Sequence, residues 1–291
     1  MDDERFRELV TARVSRPAAI AEAAAKRRRP TSLLGDHGRL MMIAADHPAR
    51  GALAAGSRPF AMGDRVDLLD RLVLALSRPG VNGVLGTPDV LEDLLLLGAL
   101  DDKVVIGSMN RGGLAGTVFE LDDRFTAYDA QSIADAGFEG GKMLTRIDPN
   151  DPATVATLES CADAVSDLAR HRLLAMVEPF ISHRAEGRVR NELTADAMVR
   201  ANSIAAGLGS TSAYTWLKVP IVDEMERAMA ATTLPALILG GEVAEDQQAA
   251  FANWQKALAL PTVQGLVIGR SLLYPPGDDV AAAVDTAVGL L

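Results

Sequence analysis

Short, nearly continuous apolar runs alternate along the chain with longer stretches in which apolar side chains recur every third or fourth position. The first pattern predicts buried strands near residues 40–46, 81–86, 103–108, 138–144, 172–178, 212–218, 235–240 and 265–269. The second predicts helices around 63–78, 88–99, 124–136, 152–170, 194–207, 221–232, 245–258 and 278–290. An amphipathic helix over about 4–28 precedes this repeat. Helix starts are marked by Thr87-Pro88, by Asp148-Pro149 with Asp151-Pro152, and by Thr194. Eight β-α repeats in 291 residues predict an α/β protein, a (β/α)8 TIM barrel with an extra N-terminal helix. A doubly wound open sheet is the runner-up. It is disfavoured because no Gly-x-Gly-x-x-Gly follows the first strand. No linker or low-complexity tract divides the chain, so residues 1–291 are expected to form one barrel domain, with 1–35 as a helical extension.

Composition supports this and narrows the function. The chain is 48% apolar and 23% charged, enough for one large core, and only 4% aromatic, which suits a helix-rich α/β protein. A net charge of −10 argues against general nucleic-acid binding. The one basic cluster, Lys26-Arg27-Arg28-Arg29, reads as a solvated helix end. A single cysteine, Cys161, excludes an internal disulfide framework and fits a reducing cytoplasm; its helical context predicts a buried structural thiol. No apolar run is long enough to span a membrane, and the opening Met1-Asp2-Asp3-Glu4 is unlike a signal peptide. A cytoplasmic protein without membrane or nucleic-acid partners is expected, and a homo-oligomer joined through outer helices.

The chemistry is expected where strands end. Tyr214-Thr215-Trp216-Leu217-Lys218 closes on a lysine, Gly141-Lys142 and Val177-Glu178-Pro179 close two other runs, and Asp46 closes Leu40 to Ala45. An ammonium at the end of a buried strand loses hydration, so it is either paired or made neutral and nucleophilic. In a barrel, residues just past the C-terminal strand ends face the substrate: Asp46-His47, Thr87, Asn110-Arg111, Lys142, Glu178, Lys218, Gly240-Gly241 and Gly269-Arg270. The last two pairs follow strands seven and eight, where glycine backbones and an arginine suit a phosphate. A plain turn and an Arg270–carboxylate pair are the structural alternative.

This ordered set resembles the class I, Schiff-base aldolases of the sugar-phosphate branch, over about Asp46 to Arg270. In that family an aspartate ends the first strand, a lysine the fourth, a glutamate the fifth and the Schiff-base lysine the sixth. A glycine turn and a Gly-Arg pair then follow strands seven and eight. The matching residues here are Asp46, Lys142, Glu178, Lys218, Gly240-Gly241 and Gly269-Arg270. The chain also resembles an actinobacterial aldolase-like group found with inositol-catabolism genes. Two departures stand out. The third-strand lysine of animal aldolases is replaced by Ser108-Met109-Asn110-Arg111-Gly112-Gly113, and Asp46-His47-Pro48 carries a proline where bacterial and archaeal aldolases have a glycine.

The resemblance implies a lyase without metal or other cofactor. Lys218 would attack a carbonyl as the neutral amine, Lys142 would supply the positive charge that lowers its pKa, Glu178 would shuttle protons, and Asp46 would deprotonate the hydroxyl. The apolar run before Lys218 predicts that it is more desolvated than Lys142, which follows Gly140-Gly141. Arg111, or His183-Arg184, is expected at the substrate's distal end, and His47 beside Asp46. The implied substrate is a phosphorylated keto sugar or keto sugar acid. With the inositol likeness it is 2-deoxy-5-keto-gluconate 6-phosphate, split into dihydroxyacetone phosphate and malonate semialdehyde. A lone Lys–Glu pair in a barrel is an ion pair by default, whereas four strand-end groups with two glycine turns point to catalysis. A metal-free sugar-phosphate isomerase or epimerase, and a non-catalytic sugar-phosphate-binding barrel, use the same residues.

The remaining signals are structural. His37, His47, His171 and His183 do not fall at metal-ligand spacing. The polar segment Glu186 to Glu192 reads as a solvated loop, with a lid as the second reading. Trp216 is expected to pack against a helix.

Overall fold

The computed structural model describes residues 1–35, 38–243 and 246–291; His37 and the predicted start of the helix at 245 lie outside them. Two helices come first, α1 (Asp3–Ser15) and α2 (Ala18–Lys26). They were expected as one. Pro17 separates them, since it donates no backbone hydrogen bond and disfavours helical geometry at Arg16. The repeat then runs β1 (Leu40–Ala45), α3 (Arg65–Ser77), β2 (Gly83–Gly86), α4 (Pro88–Leu96), β3 (Val104–Ser108), α5 (Ala130–Asp135), β4 (Gly140–Ile147), α6 (Ala153–Arg170) and β5 (Leu174–Ala185). It continues with β6 (Arg188–Asn191), α7 (Ala195–Ala206), β7 (Thr215–Val219), α8 (Met225–Met229), β8 (Ala236–Leu239), α9 (Gln247–Leu258), β9 (Val263–Ile268), α10 (Arg270–Leu273) and α11 (Val280–Val288).

Eight of these strands pair in parallel in the order β4-β3-β2-β1-β9-β8-β7-β5, and β4 pairs with β5 to close the ring. This is the (β/α)8 barrel. Closure needs a glycine at Gly265, whose φ of +147° disfavours other residues and whose added Cβ would fall 1.9 Å from the Leu40 carbonyl oxygen. The ninth strand, β6, pairs antiparallel with the far end of β5, so Glu186-Gly187 is the tip of a hairpin rather than part of a plain loop.

Two predicted helices shrink. The stretch 124–136 becomes helical only at Ala130, where Asp129 and Ser132 form a reciprocal capping box that fixes the start. The stretch 221–232 keeps only α8, which begins after Glu224 in a left-handed conformation. Thr194 caps α7 as expected, whereas Thr87 precedes α4 without bonding its backbone.

Strand alternation sorts side chains into two layers. Met41, Ile43, Val84, Val105 and Met143 face the helices, while Leu40, Met42, Leu85, Ile106, Met176, Leu237 and Val267 fill the barrel. Trp216 packs with this inner cluster, not against a helix, because it lies two residues before Lys218 on the same face. Cys161 is fully buried, with Thr145 Oγ1 3.3 Å from its sulfur. No helix among the described residues is long and apolar enough to cross a membrane.

Candidate active site

The apolar filling stops one layer below the C-terminal rim, and the next inward position on several strands is ionisable or polar. On β3 the order is Val104, Ile106, Ser108; on β5 it is Leu174, Met176, Glu178; on β7 it is Trp216, Lys218. Lys142 on β4 and Asp46 just past β1 complete the set. Asp46, Lys142, Glu178 and Lys218 sit at the floor of a cavity of about 340 Å³. A larger groove of about 770 Å³ along α1 is lined by outer residues such as Glu4, Arg5 and Glu8 and holds none of them.

The side chains form a continuous row of alternating charge. Lys218 Nζ donates to Glu178 Oε1 at 2.7 Å, and the other Glu178 oxygen pairs closely with Lys142. Lys142 Nζ also donates to Asp46 Oδ2 at 3.1 Å. Arg111 closes the row, donating to the same oxygen at 2.5 Å and to the Asp46 carbonyl at 2.8 Å; Ser108 Oγ adds a contact at 3.3 Å. Burial would raise the Asp46 pKa, but Arg111 and then Lys142 hold it well below the usual carboxylate range. Burial likewise opposes ionisation of Glu178, yet Lys142 and Lys218 bring it down to about 2. Lys142 is pushed down to about 8, first by burial, with its two carboxylates resisting.

The expectation that Lys218 is the more desolvated lysine does not hold. Lys142 is 2% exposed and Lys218 4%. Gly140 and Gly141 do not open the structure around Lys142. They let β4 close on its neighbours: an added Cβ would lie 2.3 Å from the Leu174 carbonyl oxygen at Gly140 and 2.5 Å from Met109 Sδ at Gly141. The two lysines differ in their partners instead. Lys142 is held between two carboxylates, while Lys218 stands at the end of the row against one.

The anticipated residues Asp46, His47, Arg111, Lys142, Glu178, Lys218, Gly240, Gly241, Gly269 and Arg270 all line this one cavity. His47 is held neutral by burial, with Arg270 adding to the effect and Asp46, 3.7 Å from its Nδ1, opposing it. Gly241 is left-handed with open space around it, and Gly269 passes so near β1 that a Cβ would sit 2.6 Å from the Ala44 carbonyl oxygen. Arg270 is paired with Glu242 at 3.0 Å, the simpler of the two sequence readings, and Glu242 is itself 81% exposed. Arg111 lines the cavity wall, but its fork is spent on Asp46.

Other expectations fall outside. His183 faces Glu192 and Arg184 bonds Asp151 and the Val118 carbonyl, because the hairpin carries both away from the cavity. Thr87 donates to Asp89 at 2.6 Å, and Asn110 clamps the loop to Leu144 of β4, so neither faces the cavity. Arg50, Glu120 and Arg146 line the cavity and were missed. Arg146 had a readable signal, since Lys142, Leu144 and Arg146 alternate along β4 and share its inner face. No cluster of three or more His, Cys, Asp or Glu among the described residues could hold a metal ion.

The eight-stranded barrel is similar in fold to solved structures of Schiff-base aldolases. A Schiff-base-forming fructose-1,6-bisphosphate aldolase has a TM-score of 0.65 at 17% identity, covering 93% of this chain and 99% of its own. An archaeal fructose-1,6-bisphosphate aldolase, with its catalytic lysine bound to the carbinolamine intermediate, has a TM-score of 0.65 at 18% identity, covering 93% of this chain and 97% of its own. The chain itself belongs to the Cgl0159-like family, whose sequence model matches residues 38–288. The crystal structure of Cgl0159 from Corynebacterium glutamicum is 53% identical with a TM-score of 0.97, covering 100% of this chain and 97% of that one. A search of curated proteins found no match.

Proposed function

We propose that the chain is a class I aldolase that cleaves a phosphorylated keto sugar or keto sugar acid through a Schiff base on Lys218. The observation that carries this reading is the buried row Lys218–Glu178–Lys142–Asp46 at the base of the cavity. Lys218 is chosen as nucleophile because only one carboxylate oxygen holds it, whereas Lys142 is fixed on two sides.

Neutral Lys218 adds to the substrate carbonyl to give a carbinolamine, and loss of its hydroxyl as water leaves an iminium. Glu178 handles the protons of that step. Its basicity rises at the right moment: when Lys218 gives up its ammonium proton to become the attacking amine, one of the two charges that depress the Glu178 pKa is gone, and the carboxylate hydrogen-bonded to Lys218 is placed to take that proton. Loss of the β-hydroxyl proton towards Asp46 then breaks the carbon–carbon bond. The electron pair passes to the iminium as an enamine, and the aldehyde departs. Protonation of the enamine carbon and hydrolysis release the second product and restore Lys218. Lys142, with a pKa of about 8, stays positive at neutral pH and keeps Asp46 and Glu178 ionised between turnovers. A phosphate would be held by the Gly240-Gly241 turn, Gly269 and Arg270 once it replaces exposed Glu242.

For the substrate, we propose 2-deoxy-5-keto-gluconate 6-phosphate, yielding dihydroxyacetone phosphate and malonate semialdehyde. The acid–base isomerase reading is less well supported: it would use the same two carboxylates but leave buried Lys218 only a charge, and the fold is shared with Schiff-base-forming aldolases. Enzymatic reduction of released dihydroxyacetone phosphate, followed in the presence of a chelator, tests the proposal. Chelator-resistant cleavage is expected. Background turnover of the keto acid alongside good cleavage of fructose bisphosphate would reject the substrate and leave the mechanism standing.

A further inference from the structure

Besides Arg270, three arginines line the cavity, Arg50, Arg111 and Arg146, each almost fully buried. Two are occupied by the fold. Arg111 holds Asp46, and Arg50 donates to the carbonyls of Gly113 and Asn110 at 2.7 Å and pairs with Asp123. Arg146 is different. It is 6% exposed, it bonds no backbone carbonyl, and its one partner is Glu120, paired through Nη1; its Nε, like those of Arg50 and Arg111, is buried without a partner. Glu120 comes from the long segment between β3 and α5, and its second oxygen accepts from the Gly116 backbone at 2.8 Å.

The barrel's geometry gives this pair a meaning. In the closed ring of eight strands, β4 lies four strands from β9 in either direction. Arg146 on β4 therefore faces Arg270, at the end of β9, across the cavity, with Lys218 and Glu178 on the strands between. Both arginines hold a glutamate, Glu120 at one wall and Glu242 at the other. A substrate anchored by phosphate at Arg270 would extend over Lys218 towards Arg146.

We propose that Arg146 is the seat for a carboxylate at the far end of the substrate, and that Glu120 occupies this seat until the substrate's acid replaces it. The inference rests on the aldolase reading and narrows its substrate class to keto sugar phosphates ending in a carboxylate. The group already seated is a carboxylate, so a substrate acid meets a fork shaped for it. An arriving acid also satisfies the Nε hydrogen that Glu120 leaves unpaired.

Succinate binding by calorimetry tests the seat without requiring turnover. Glu120→Gln removes the competing charge and should bind succinate about ten-fold or more tightly than the unaltered chain. Adding Arg146→Met to that variant should abolish the gain, and Arg146→Lys, which keeps charge without the fork, should recover only part of it. Equal succinate affinity in all four proteins, each shown to be folded by circular dichroism, would overturn the proposal. Borohydride trapping is run in parallel. Succinate binding of the expected pattern without trapping would reject the aldolase reading and keep the seat. Trapping with a flat succinate response would do the reverse.

Discussion

Lys218 and Lys142 share a single carboxylate: Glu178 accepts from Lys218 through Oε1 at 2.7 Å and pairs with Lys142 through Oε2. The two ammonium groups are thereby coupled through one acid, so a change of charge on either is felt by the other. This coupling lets attack by one lysine alter the proton affinity of the groups that complete the reaction.

The coupling has a pH signature. The Glu178 pKa of about 2 lies below its ordinary 4.5, so the stability it contributes is present above 4.5 and is lost as pH falls from 4.5 towards 2. Lys142 is shifted in the same direction, from 10.5 to about 8, chiefly by burial, so its charge costs stability below pH 8 and that cost is relieved as pH rises from 8 to 10.5. Lys142→Met removes the larger of the positive charges acting on Glu178. The folded pKa of Glu178 then rises towards 4.5, so the acid loss of stability should be smaller and should end at higher pH, measured by denaturant midpoints across an acidic pH series. An unchanged acid limb would contradict the charge row.

Arg111 is the outer anchor of that row. Replacing it with Met leaves Asp46 buried beside one cation instead of two, at a cost of about 3–5 kcal/mol in urea unfolding. Arg111→Lys should recover part of this, because it keeps the charge and loses the two-pronged grip on the Asp46 carbonyl and carboxylate. A loss below 1 kcal/mol for the Met variant would show that the pairing is not structurally important.

Gly140→Ala probes how tightly β4 is seated. The new methyl would fall against the Leu174 carbonyl of β5, so about 1–3 kcal/mol of stability should be lost. Lys142 should move with its strand, and activity should fall in addition. A crystal structure with Lys142 unmoved, together with normal turnover, would refute the link.

Legibility in the sequence followed burial. Asp46, Lys142, Glu178 and Lys218 stood out because each ends an apolar run, where an ionisable side chain is costly without a purpose. The glycine pairs after strands seven and eight were visible for a related reason. Arg146 escaped because β4 was read as ending at 144, whereas it runs on to Ile147 alongside a long β5. Arg50 and Glu120 lie on connections without periodicity, and only the folded barrel brings them to the cavity. His183-Arg184 misled because a hairpin extends β5 and turns both residues outward. The burial of Lys142 depends on glycine-mediated strand contacts, which a count of neighbouring apolar residues does not capture.

Borohydride reduction in the presence of dihydroxyacetone phosphate, followed by peptide mapping, tests the central claim most directly. A covalent mass gain should map to Lys218 and vanish in Lys218→Met. Lys142→Met should remain trappable while turning over about 10²–10⁴-fold more slowly, as expected for loss of a positioned charge in the proton-transfer network. An adduct on Lys142 would reverse the assignment of the two lysines. No adduct with this or any other ketose phosphate would contradict the Schiff-base account itself.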